Sequence, residues 1–381
     1  MPKIKQKHIL IISHNSLSAG TSTQTANLIR QLRFKERNFH FHIIVPSIPL
    51  FTNMITSEGC VSIHYAKYQP GVVGYFLRVY TEFIAIPRLI KNTNPIGILA
   101  LTNYYLVPGV ESKKVVLVRH PYLLEQRLTK NLGLYDKFLE VFRNQFFLWT
   151  LKLVDHIIVQ SNHMKTLFDK KYVNSTQTIS VLPNPINTEK LLKQSNQKPF
   201  SEKKNIVIYP SRYYPHKNHE FLIELASKHY SFFMKNEVKF FITLDENEQT
   251  KHLFRTINEN NLGGVINNTG EIPQERLAEI YSQSKVLFFP SKAETFGNSL
   301  VEALYYGLPI VAPSLPYAKA ICGDAGIYYE VDNHDSAFAL LTKILLDEDS
   351  WNKTSKISLK QYENFIDTEQ WISEVLKLLT R

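Results

Sequence analysis

The sequence has few cysteines and no long apolar run. Of its 381 residues only Cys60 and Cys322 are cysteine, and they lie far apart without the spacing of a zinc motif. This argues against a disulfide-stabilised scaffold or a cysteine zinc site, and it fits a reducing cytosol. The apolar run near the start, "HILII", is too short for a signal peptide, and no stretch reaches the roughly 18 apolar residues of a membrane-spanning helix. We therefore expect a cytoplasmic protein.

Acidic residues are scarce in the first half of the chain. Residues 1–195 carry 24 Lys and Arg against 10 Asp and Glu, a net charge of +14, whereas residues 196–381 carry 20 against 24, a net charge of −4. The excess either serves solubility or faces an anionic partner, such as a membrane, a phosphorylated acceptor or a nucleic acid. Because no nucleic-acid recognition module is evident, we expect no nucleic-acid partner.

Short apolar segments alternate with longer amphipathic ones along the whole chain, which predicts parallel sheets covered by helices on both faces. A polar stretch at 188–204 interrupts the alternation and is predicted to be a linker. It separates two doubly wound α/β domains, 1–187 and 205–365, and a last helical segment follows at 366–381. Ligands of such sheets bind beyond the carboxyl ends of the strands.

The stretch "SKAETFGNSLVEALYYGLPIVAPS" (291–314) holds two carboxylates eight residues apart. It follows a buried strand, so Glu294 is expected on the loop at that strand's carboxyl end. Glu302 is expected about one turn into the next helix, on the side of the same site. Spacing alone does not distinguish this pattern from chance. Its position does, because carboxylates on both sides of an anion site suit the hydroxyl groups that flank the diphosphate of a nucleotide sugar.

The predicted helix between these carboxylates offers a seat for a phosphate. It is expected to begin near Asn298 and Ser299, which are both good N-cap residues. The first turn of a helix has free N–H groups and a partial positive charge, and Gly297 lets a ligand approach the backbone closely. In "YPSRYYPHKNHEFL" (209–222), between a strand and a helix, Arg212 and Lys217 add two cations that suit a diphosphate leaving group opposite Glu294.

With these motifs the chain resembles the retaining GT-B glycosyltransferases that carry a Glu-x7-Glu motif, a family 4-like group of bacterial polysaccharide and lipid-glycan enzymes. The segments "SRYYPHKN" and "AETFGNSLVEALYYGLPIVAP" carry the resemblance, and "LPNPIN" (182–187) and "LPYAKAICGDAGIYYE" (315–330) add to it. It implies two Rossmann-like domains that face a central cleft. The acceptor would bind the first domain and the nucleotide sugar the second, and a C-terminal helix would pack back on the first.

The resemblance also implies roles for single residues. Glu294 would bind hydroxyls of the donor sugar, Glu302 the ribose, and Arg212 and Lys217 the diphosphate. Other donor contacts would be the backbone of the helix start and a nucleobase contact in "TGEIPQERL" (269–277): Phe296, Gly297, Asn298, Ser299 and Ile272.

In the first domain the resemblance implies a glycine loop near the phosphates, followed by a residue near the anomeric carbon. The loop is "SHNSLSAGTSTQTANLI" (13–29), with Gly20 as its one glycine where many relatives have two adjacent ones. A plain strand–helix connection is the alternative. His120 follows a strand in "KVVLVRHPYLLEQ" and is either structural or a group that orients the donor or assists the acceptor hydroxyl.

Two short patterns resemble metal-binding motifs, but we expect neither to bind a metal. "DED" (347–349) has the Asp-x-Asp form of metal-dependent transferases, but it follows a helix and is predicted to be a solvated turn. His216 and His219 in "HKNH" could share a helix face, yet no third ligand is evident. We expect no metal and no cofactor, with the nucleotide sugar as co-substrate.

The predicted activity is metal-independent retaining transfer of a hexose from a UDP- or GDP-linked sugar to a glycan or a polyprenyl- or lipid-linked acceptor, in bacterial cell-surface polysaccharide or lipopolysaccharide synthesis. The basic aromatic helix predicted at 133–155 suits either core packing or peripheral contact with an anionic membrane, on the inner face of the plasma membrane. Alternatives are a catalytically silent nucleotide-sugar-binding partner in a glycan assembly complex and a GT-B-fold epimerase.

Overall fold

The computed structural model describes residues 6–17, 19–35, 38–54, 59–125, 133–186 and 198–380. The chain divides into two compact units. The first comprises Met1–Pro185 and Asp367–Arg381, and the second comprises Ile186–Ile366.

The strands follow the apolar segments of the sequence. They are β1 (Lys7–Ile12), β2 (Phe39–Pro46), β3 (Val61–Ala66), β4 (Gly97–Ala100), β5 (Lys113–Val118), β6 (His156–Val159), β7 (Thr178–Val181), β8 (Ile206–Tyr209), β9 (Lys239–Ile242), β10 (Ile266–Asn268), β11 (Val286–Phe288), β12 (Ile310–Pro313) and β13 (Gly326–Tyr329). Among the described residues, the first unit has a seven-stranded sheet of order β3-β2-β1-β4-β5-β6-β7 and the second a six-stranded sheet of order β10-β9-β8-β11-β12-β13. Neighbouring strands pair in parallel in both.

Helices connect these strands and cover the sheets. They are α1 (Ala19–Lys35), α2 (Pro49–Thr52), α3 (Val72–Tyr80), α4 (Ile86–Thr93), α5 (Leu134–Leu153), α6 (Asn162–Lys171), α7 (His219–Lys228), α8 (Tyr230–Lys235), α9 (Lys251–Glu259), α10 (Gln274–Gln283), α11 (Asn298–Tyr305), α12 (Pro316–Cys322), α13 (His334–Leu346), α14 (Glu348–Tyr362) and α15 (Thr368–Thr380). The predicted α/β class is confirmed.

The strands are buried because helices lie on both sheet faces. In β1, Ile9 to Ile12 are all buried, and alternate side chains face opposite sides of the sheet. Leu10 and Ile12 join the core under α4 with Ile86 and Ile90. This accounts for the continuous apolar runs that a parallel sheet requires.

A π-helical turn interrupts the helix between Val72 and Thr93. It spans Thr81–Ala85, between α3 and α4. Thr81 and Glu82 in this turn are buried, so the turn directs a carboxylate into the first unit. Single π turns in helices occur frequently at functional sites.

The last helix of the chain belongs to the first unit. The side chains of Trp371, Val375 and Leu379 on α15 are buried, and the helix packs on α1, β4 and β5. A Cβ added at Gly97 in β4 would lie 2.8 Å from the Cβ of Leu379, so the helix needs a glycine there. The C-terminal helix therefore packs on the first domain, as the family resemblance implies.

The predicted linker differs from the structure over its second part. Residues 187–197 lie outside the described residues. Residues 198–204 pack on the second unit, where Lys203 Nζ donates to the Ser282 carbonyl oxygen at 3.1 Å and Lys285 Nζ lies 3.6 Å above the Phe200 ring. Burial lowers the pKa of Lys203 to about 8. Polar composition predicted exposure here, and Lys198 and Lys204 are exposed, but the side chain of Lys203 is buried with a partner.

Candidate functional site

In the second unit, Lys217 and Glu294 meet beyond the ends of two adjacent strands. Lys217 ends a 3-10 turn after β8, and Glu294 lies on the loop after β11, the strand that pairs with β8. Lys217 Nζ lies 2.5 Å from Glu294 Oε1, and the two side chains are 19% and 9% exposed. The structure thus brings two of the predicted site residues into one ion pair at the strand ends.

Hydrogen bonds fix the two loops that carry this pair. The Lys292 N–H donates to the His216 carbonyl oxygen at 2.7 Å, and the Ser291 hydroxyl donates to the same oxygen at 3.1 Å. Asn218 Nδ2 donates to the Pro290 carbonyl oxygen at 3.2 Å. The buried Tyr209 at the end of β8 donates its hydroxyl to the Lys217 carbonyl oxygen at 2.7 Å. Hydrogen bonds therefore connect the two loops that carry the ion pair and hold them in one arrangement.

Arg212 has a different carboxylate partner. Its Nη2 lies 2.6 Å from both Oε1 and Oε2 of Glu271, on the segment after β10, and both side chains are exposed. From the sequence we expect Arg212 opposite Glu294. Glu271 takes that partner role because β10 ends on the same side of the sheet, two strands from β8. An exposed pair of this kind contributes little to stability, so a diphosphate can compete for the guanidinium at low cost.

Helix α11, which carries Glu302, begins at a different residue from the one predicted. The N-cap of α11 is Gly297, which has a left-handed backbone (φ 83°, ψ 71°), and no side chain caps the helix. Asn298 and Ser299 are instead the first two helical residues, and the Ser299 hydroxyl donates to the Pro210 carbonyl oxygen at 3.2 Å. Glycine adopts a positive φ without strain. The first-turn N–H groups of α11 are therefore presented without a side-chain cap.

Glu302 lies in α11 and is held by a residue that the sequence analysis missed. The hydroxyl of Tyr281, a buried residue of α10, donates to Glu302 Oε2 at 3.0 Å. Burial raises the pKa of the Glu302 carboxyl, and the hydrogen bond from Tyr281 opposes that rise. The phenol thus favours the ionised form of the carboxylate, the form that accepts two hydroxyl groups.

Phe296 and Ile272 are placed by their apolar side chains. Phe296 is buried in the core of the second unit, with its ring 5.9 Å from that of Phe365. Its side chain is therefore not available to a ligand, and a contact through its backbone remains a prediction. Ile272 is partly buried between β10 and α10 and packs on the same core.

In the first unit, His120 lies at the end of β5 beside Asn103, which follows β4. Asn103 Oδ1 accepts the backbone N–H of Arg119 at 2.5 Å and that of His120 at 3.0 Å. His120 Nε2 lies 3.6 Å from Glu140 Oε1 on α5. The carboxyl end of this sheet therefore collects the imidazole with an amide and a carboxylate.

Gly20 does not lie on a loop. It is the second residue of α1, which begins at Ala19, inside the segment predicted to be the glycine loop. Hydroxyl groups hold the loop after β1 instead, because Ser13 Oγ lies 2.6 Å from Ser16 Oγ and 2.8 Å from Thr25 Oγ1 of α1.

Two further groups at this edge were missed from the sequence. His14 Nε2, just after β1, lies 3.0 Å from Glu82 Oε1 in the π turn, and both side chains are buried. The Nε and Nη1 atoms of Arg119 are buried, and no described residue accepts a hydrogen bond from them. The sequence around Glu82 has the apolar spacing of an ordinary amphipathic helix, so nothing distinguishes this glutamate. Arg119 directly precedes His120, and only the histidine was predicted to be a site residue.

The two patterns weighed as metal motifs have other roles. Asp347 is the N-cap of α14 and accepts the Ser350 N–H at 3.1 Å, so "DED" begins a helix and is not a turn. His216 lies in the 3-10 turn and His219 begins α7, so they do not share a helix face. Burial lowers the pKa of each to about 4. The described residues contain no group of three or more His, Cys, Asp or Glu arranged to hold a metal.

Family models match nearly the whole chain in two adjacent parts. A model described as Glycosyltransferase Family 4 matches residues 18–190, and one described as Glycosyl transferases group 1 matches residues 192–361. The chain belongs to the family 4 glycosyltransferases. The second match contains Lys217, Glu294 and Glu302, and the first contains His120.

Individual relatives of this glycosyltransferase have low sequence identity to it. The O-antigen chain mannosyltransferase RfbU of Salmonella typhimurium is 22% identical over 280 residues, 69% of this chain and 76% of that protein. The sucrose-phosphate synthase of Thermosynechococcus elongatus has a TM-score of 0.74 at 15% identity, with 98% of each chain covered. Anabaena HepE, solved with UDP and glucose, has a TM-score of 0.72 at 15% identity, covering 98% of this chain and 100% of that one. The fold is therefore GT-B. In the described residues no helix is long and apolar enough to cross a membrane.

Proposed function

We propose that this chain is a retaining hexosyltransferase that uses a UDP- or GDP-linked sugar and acts on a glycan or lipid-linked acceptor in bacterial cell-surface polysaccharide synthesis. The observation that carries the proposal is the Lys217–Glu294 pair at the ends of β8 and β11, beside the uncapped start of α11. A cation, a sugar-binding carboxylate and the N–H groups of a helix start are the parts that a nucleotide diphosphate sugar needs in one place.

In the proposed donor complex each group has one task. Lys217 and Arg212 bind the diphosphate, and the first N–H groups of α11, from Asn298 and Ser299, bind its oxygens. Glu294 accepts hydroxyls of the hexose, and Glu302 accepts those of the ribose. Because Lys217 is already paired with Glu294, diphosphate binding places the ammonium between two anions, which orders the carboxylate next to the sugar.

The proposed transfer needs no protein nucleophile. The acceptor oxygen attacks the anomeric carbon on the face from which the diphosphate leaves. The bond from that carbon to the phosphate oxygen breaks, and its electron pair stays on the diphosphate. The acceptor hydroxyl proton passes to the departing phosphate oxygen. The cations that stabilise this developing charge then supply most of the catalysis. His120 would orient the acceptor or the donor from the first unit.

Two features of the surroundings complete the proposal. The net charge of +14 in residues 1–195 suits an anionic acceptor or peripheral contact with the inner face of the plasma membrane, with α5 as the contacting helix. The mannosyltransferase name of the Salmonella relative and the UDP bound to HepE support a nucleotide sugar donor, without choosing its base. Metal independence remains a prediction.

A thermal-shift panel with UDP, GDP, ADP, dTDP and CMP, each with and without magnesium, tests donor binding. A ligand at about a hundred times its Kd stabilises a protein by about 2.7 kcal/mol, which is a shift of several degrees. We expect one nucleoside diphosphate to stand out and the shift to be the same without magnesium. A flat panel would contradict a nucleotide site in the second unit that binds without the acceptor.

Variants then separate the two glutamates. Glu302→Ala is expected to weaken nucleotide binding about tenfold, since a buried charged hydrogen-bond acceptor is lost. Glu294→Ala is expected to lower turnover more than nucleotide affinity. Glu259→Ala, an exposed carboxylate of α9, is the control. Full activity in both site variants would contradict the assignment, and an inverted product anomer would contradict retention.

A further inference from the structure

The first unit contains a cavity that the donor site does not use. It has a volume of about 500 Å³ and lies between α5 and the helix that runs through α3 and the π turn. Its walls are mainly apolar and include the aromatic side chains of Tyr75, Phe83, Phe138, Phe142 and Phe146. Small-molecule sites typically have volumes of about 300–1,000 Å³ and apolar walls with a few polar groups, so this cavity has the dimensions of a ligand site.

A buried hydroxyl lies in this cavity without a hydrogen-bond partner. Tyr104 is 7% exposed, lines the cavity, and its Oη has no partner in the described structure. Burial raises the pKa of this phenol well above its ordinary value, so the hydroxyl keeps its proton and remains a donor. An unpaired buried hydroxyl is costly, which indicates a missing acceptor oxygen.

The cavity also offers a cation. Arg78 of α3 lines it, and no ion pair joins Arg78 to another described residue. The carboxylates nearby already have partners, because Glu140 pairs with Arg143 and Glu82 lies 3.0 Å from His14. Neither carboxylate therefore forms an ion pair with Arg78, which leaves the guanidinium to an anion that also reaches the Tyr104 hydroxyl.

The rim of the cavity is an exposed apolar surface on both helices. Val79 on α3 and Phe138 and Phe142 on α5 line the cavity and are exposed, and Val72 and Phe76 on α3 are exposed as well. An apolar surface of this kind next to a pocket marks an interaction site. The lining also includes polar groups such as Asn103 and His120, but the exposed apolar side chains of the rim offer a glycan no hydrogen-bond partners, whereas a hydrocarbon chain fits them.

We propose that this cavity binds a lipid-linked acceptor through its phosphate and its first prenyl units. The phosphate oxygens accept hydrogen bonds from Arg78 and Tyr104, and the chain lies along the aromatic walls and leaves over the rim. The inference rests on the proposed glycosyltransferase function and narrows its acceptor class. A membrane surface alone would use the rim but would leave the Tyr104 hydroxyl unpaired.

Binding can be followed by the fluorescence of Trp149 on α5. Its ring lies 6.1 Å from that of Phe83, and the side chain is partly exposed, whereas Trp351 and Trp371 are buried. With farnesyl monophosphate below its micelle concentration, we expect a saturable shift of the emission to shorter wavelength. Farnesol, which lacks the phosphate, and inorganic phosphate, which lacks the chain, are each expected to bind at least about tenfold more weakly.

Single substitutions locate the phosphate. Arg78→Gln is expected to weaken farnesyl monophosphate binding about tenfold and leave farnesol binding unchanged. Tyr104→Phe removes only the unpaired hydroxyl, so we expect unchanged or higher thermal stability with several-fold weaker binding of the phosphate. Arg88→Gln is the control, because Arg88 is an exposed arginine of α4 outside the cavity lining.

Three outcomes would overturn the inference. They are equal affinity for farnesyl monophosphate and farnesol, binding unaffected by both Arg78→Gln and Tyr104→Phe, and binding only to anionic vesicles that Arg88→Gln weakens as much as Arg78→Gln. The last would indicate general attraction to a membrane surface. The nucleotide panel reports on the second unit, so a nucleotide response without a prenyl phosphate response rejects this inference alone.

Discussion

Arg119 is a guanidinium group at the end of β5 that the described protein leaves partly unsatisfied. Its Nε and Nη1 atoms are buried without hydrogen-bond partners, and burial lowers the pKa of the group to about 10. Its backbone N–H is satisfied by Asn103, so the position itself is well held. A buried cation without a partner costs stability, and such strain is found where a ligand supplies the missing anion.

We expect Arg119→Met to make the free protein more stable and less active. Methionine keeps the unbranched shape and removes the unpaired N–H groups, which cost about 1–3 kcal/mol when buried. The melting temperature of the first unit should rise by about 2–4 °C for each kcal/mol regained. Differential scanning calorimetry and an assay of sugar transfer measure the two effects. A lower melting temperature, or the same response in Arg88→Met, would show that the guanidinium is not unpaired.

A second prediction at this scale concerns the hydrogen bond from Tyr281 to Glu302. Burial raises the pKa of the Glu302 carboxyl and the phenol lowers it, so Tyr281→Phe should raise it further. If ribose binding requires the carboxylate, nucleotide affinity falls as the pH drops through this pKa. In Tyr281→Phe that fall should begin at a higher pH. Isothermal titration of the nucleoside diphosphate over a pH series measures it, and coincident profiles would contradict the assigned role.

At the scale of secondary structure elements, histidines link three neighbouring strands at the β3 side of the first sheet. His42 of β2 lies between His8 of β1, at 2.9 Å, and His64 of β3, at 3.2 Å, measured between ring nitrogens. The ring of His40 lies 4.8 Å from that of His42. Burial, and then the neighbouring histidines, lower the pKa of His42 to about 4, and the pKa values of His40 and His64 are lowered as well.

These histidines should make the first unit sensitive to acid. Their pKa values are lower in the folded than in the unfolded chain, so the unfolded state binds more protons between about pH 6.5 and pH 4. The free energy of unfolding is therefore expected to fall as the pH drops through that window. His42→Gln should flatten the dependence, and the exposed His252→Gln in the second unit should not. Melting temperatures at half-unit pH steps measure this, and equal slopes in all three proteins would contradict it.

The elements also show how far sequence alone reaches. Strands and helices were predictable because their apolar periods are strong, and Glu294 and Lys217 were predictable as strand-end residues. The N-cap of α11 was not predictable from the sequence. Asn298 and Ser299 are both good N-cap residues, and only the backbone conformation of Gly297 shows that the helix begins one residue earlier. The π turn has no residue signature, so Glu82 could not be brought to the end of β1 from its position in the chain.

At the scale of the whole molecule, the first unit is built from both ends of the chain. α15 follows the entire second unit and packs on β4, where Gly97 leaves no room for a side chain. Ile186 and Ile366 are the first and last residues of the second unit, and the Ile186 N–H donates to the Ile366 carbonyl oxygen at 3.3 Å. The stability of the first unit therefore depends on α15, the C-terminal helix of the chain.

We expect Gly97→Val to loosen α15 and destabilise the first unit while the second keeps its nucleotide response. The new Cβ would lie 2.8 Å from the Leu379 Cβ and 2.9 Å from the Leu379 carbonyl oxygen, and overpacking of this kind costs about 1–3 kcal/mol. Amide hydrogen exchange should rise in α15, β4 and β5 and stay unchanged in β8 and β11. Gly263→Val is the control, because a Cβ there meets no atom within 4 Å. Exchange that rises equally in both sheets would mean that the helix supports the two units together, and the first unit could not then be treated as a separate folding unit.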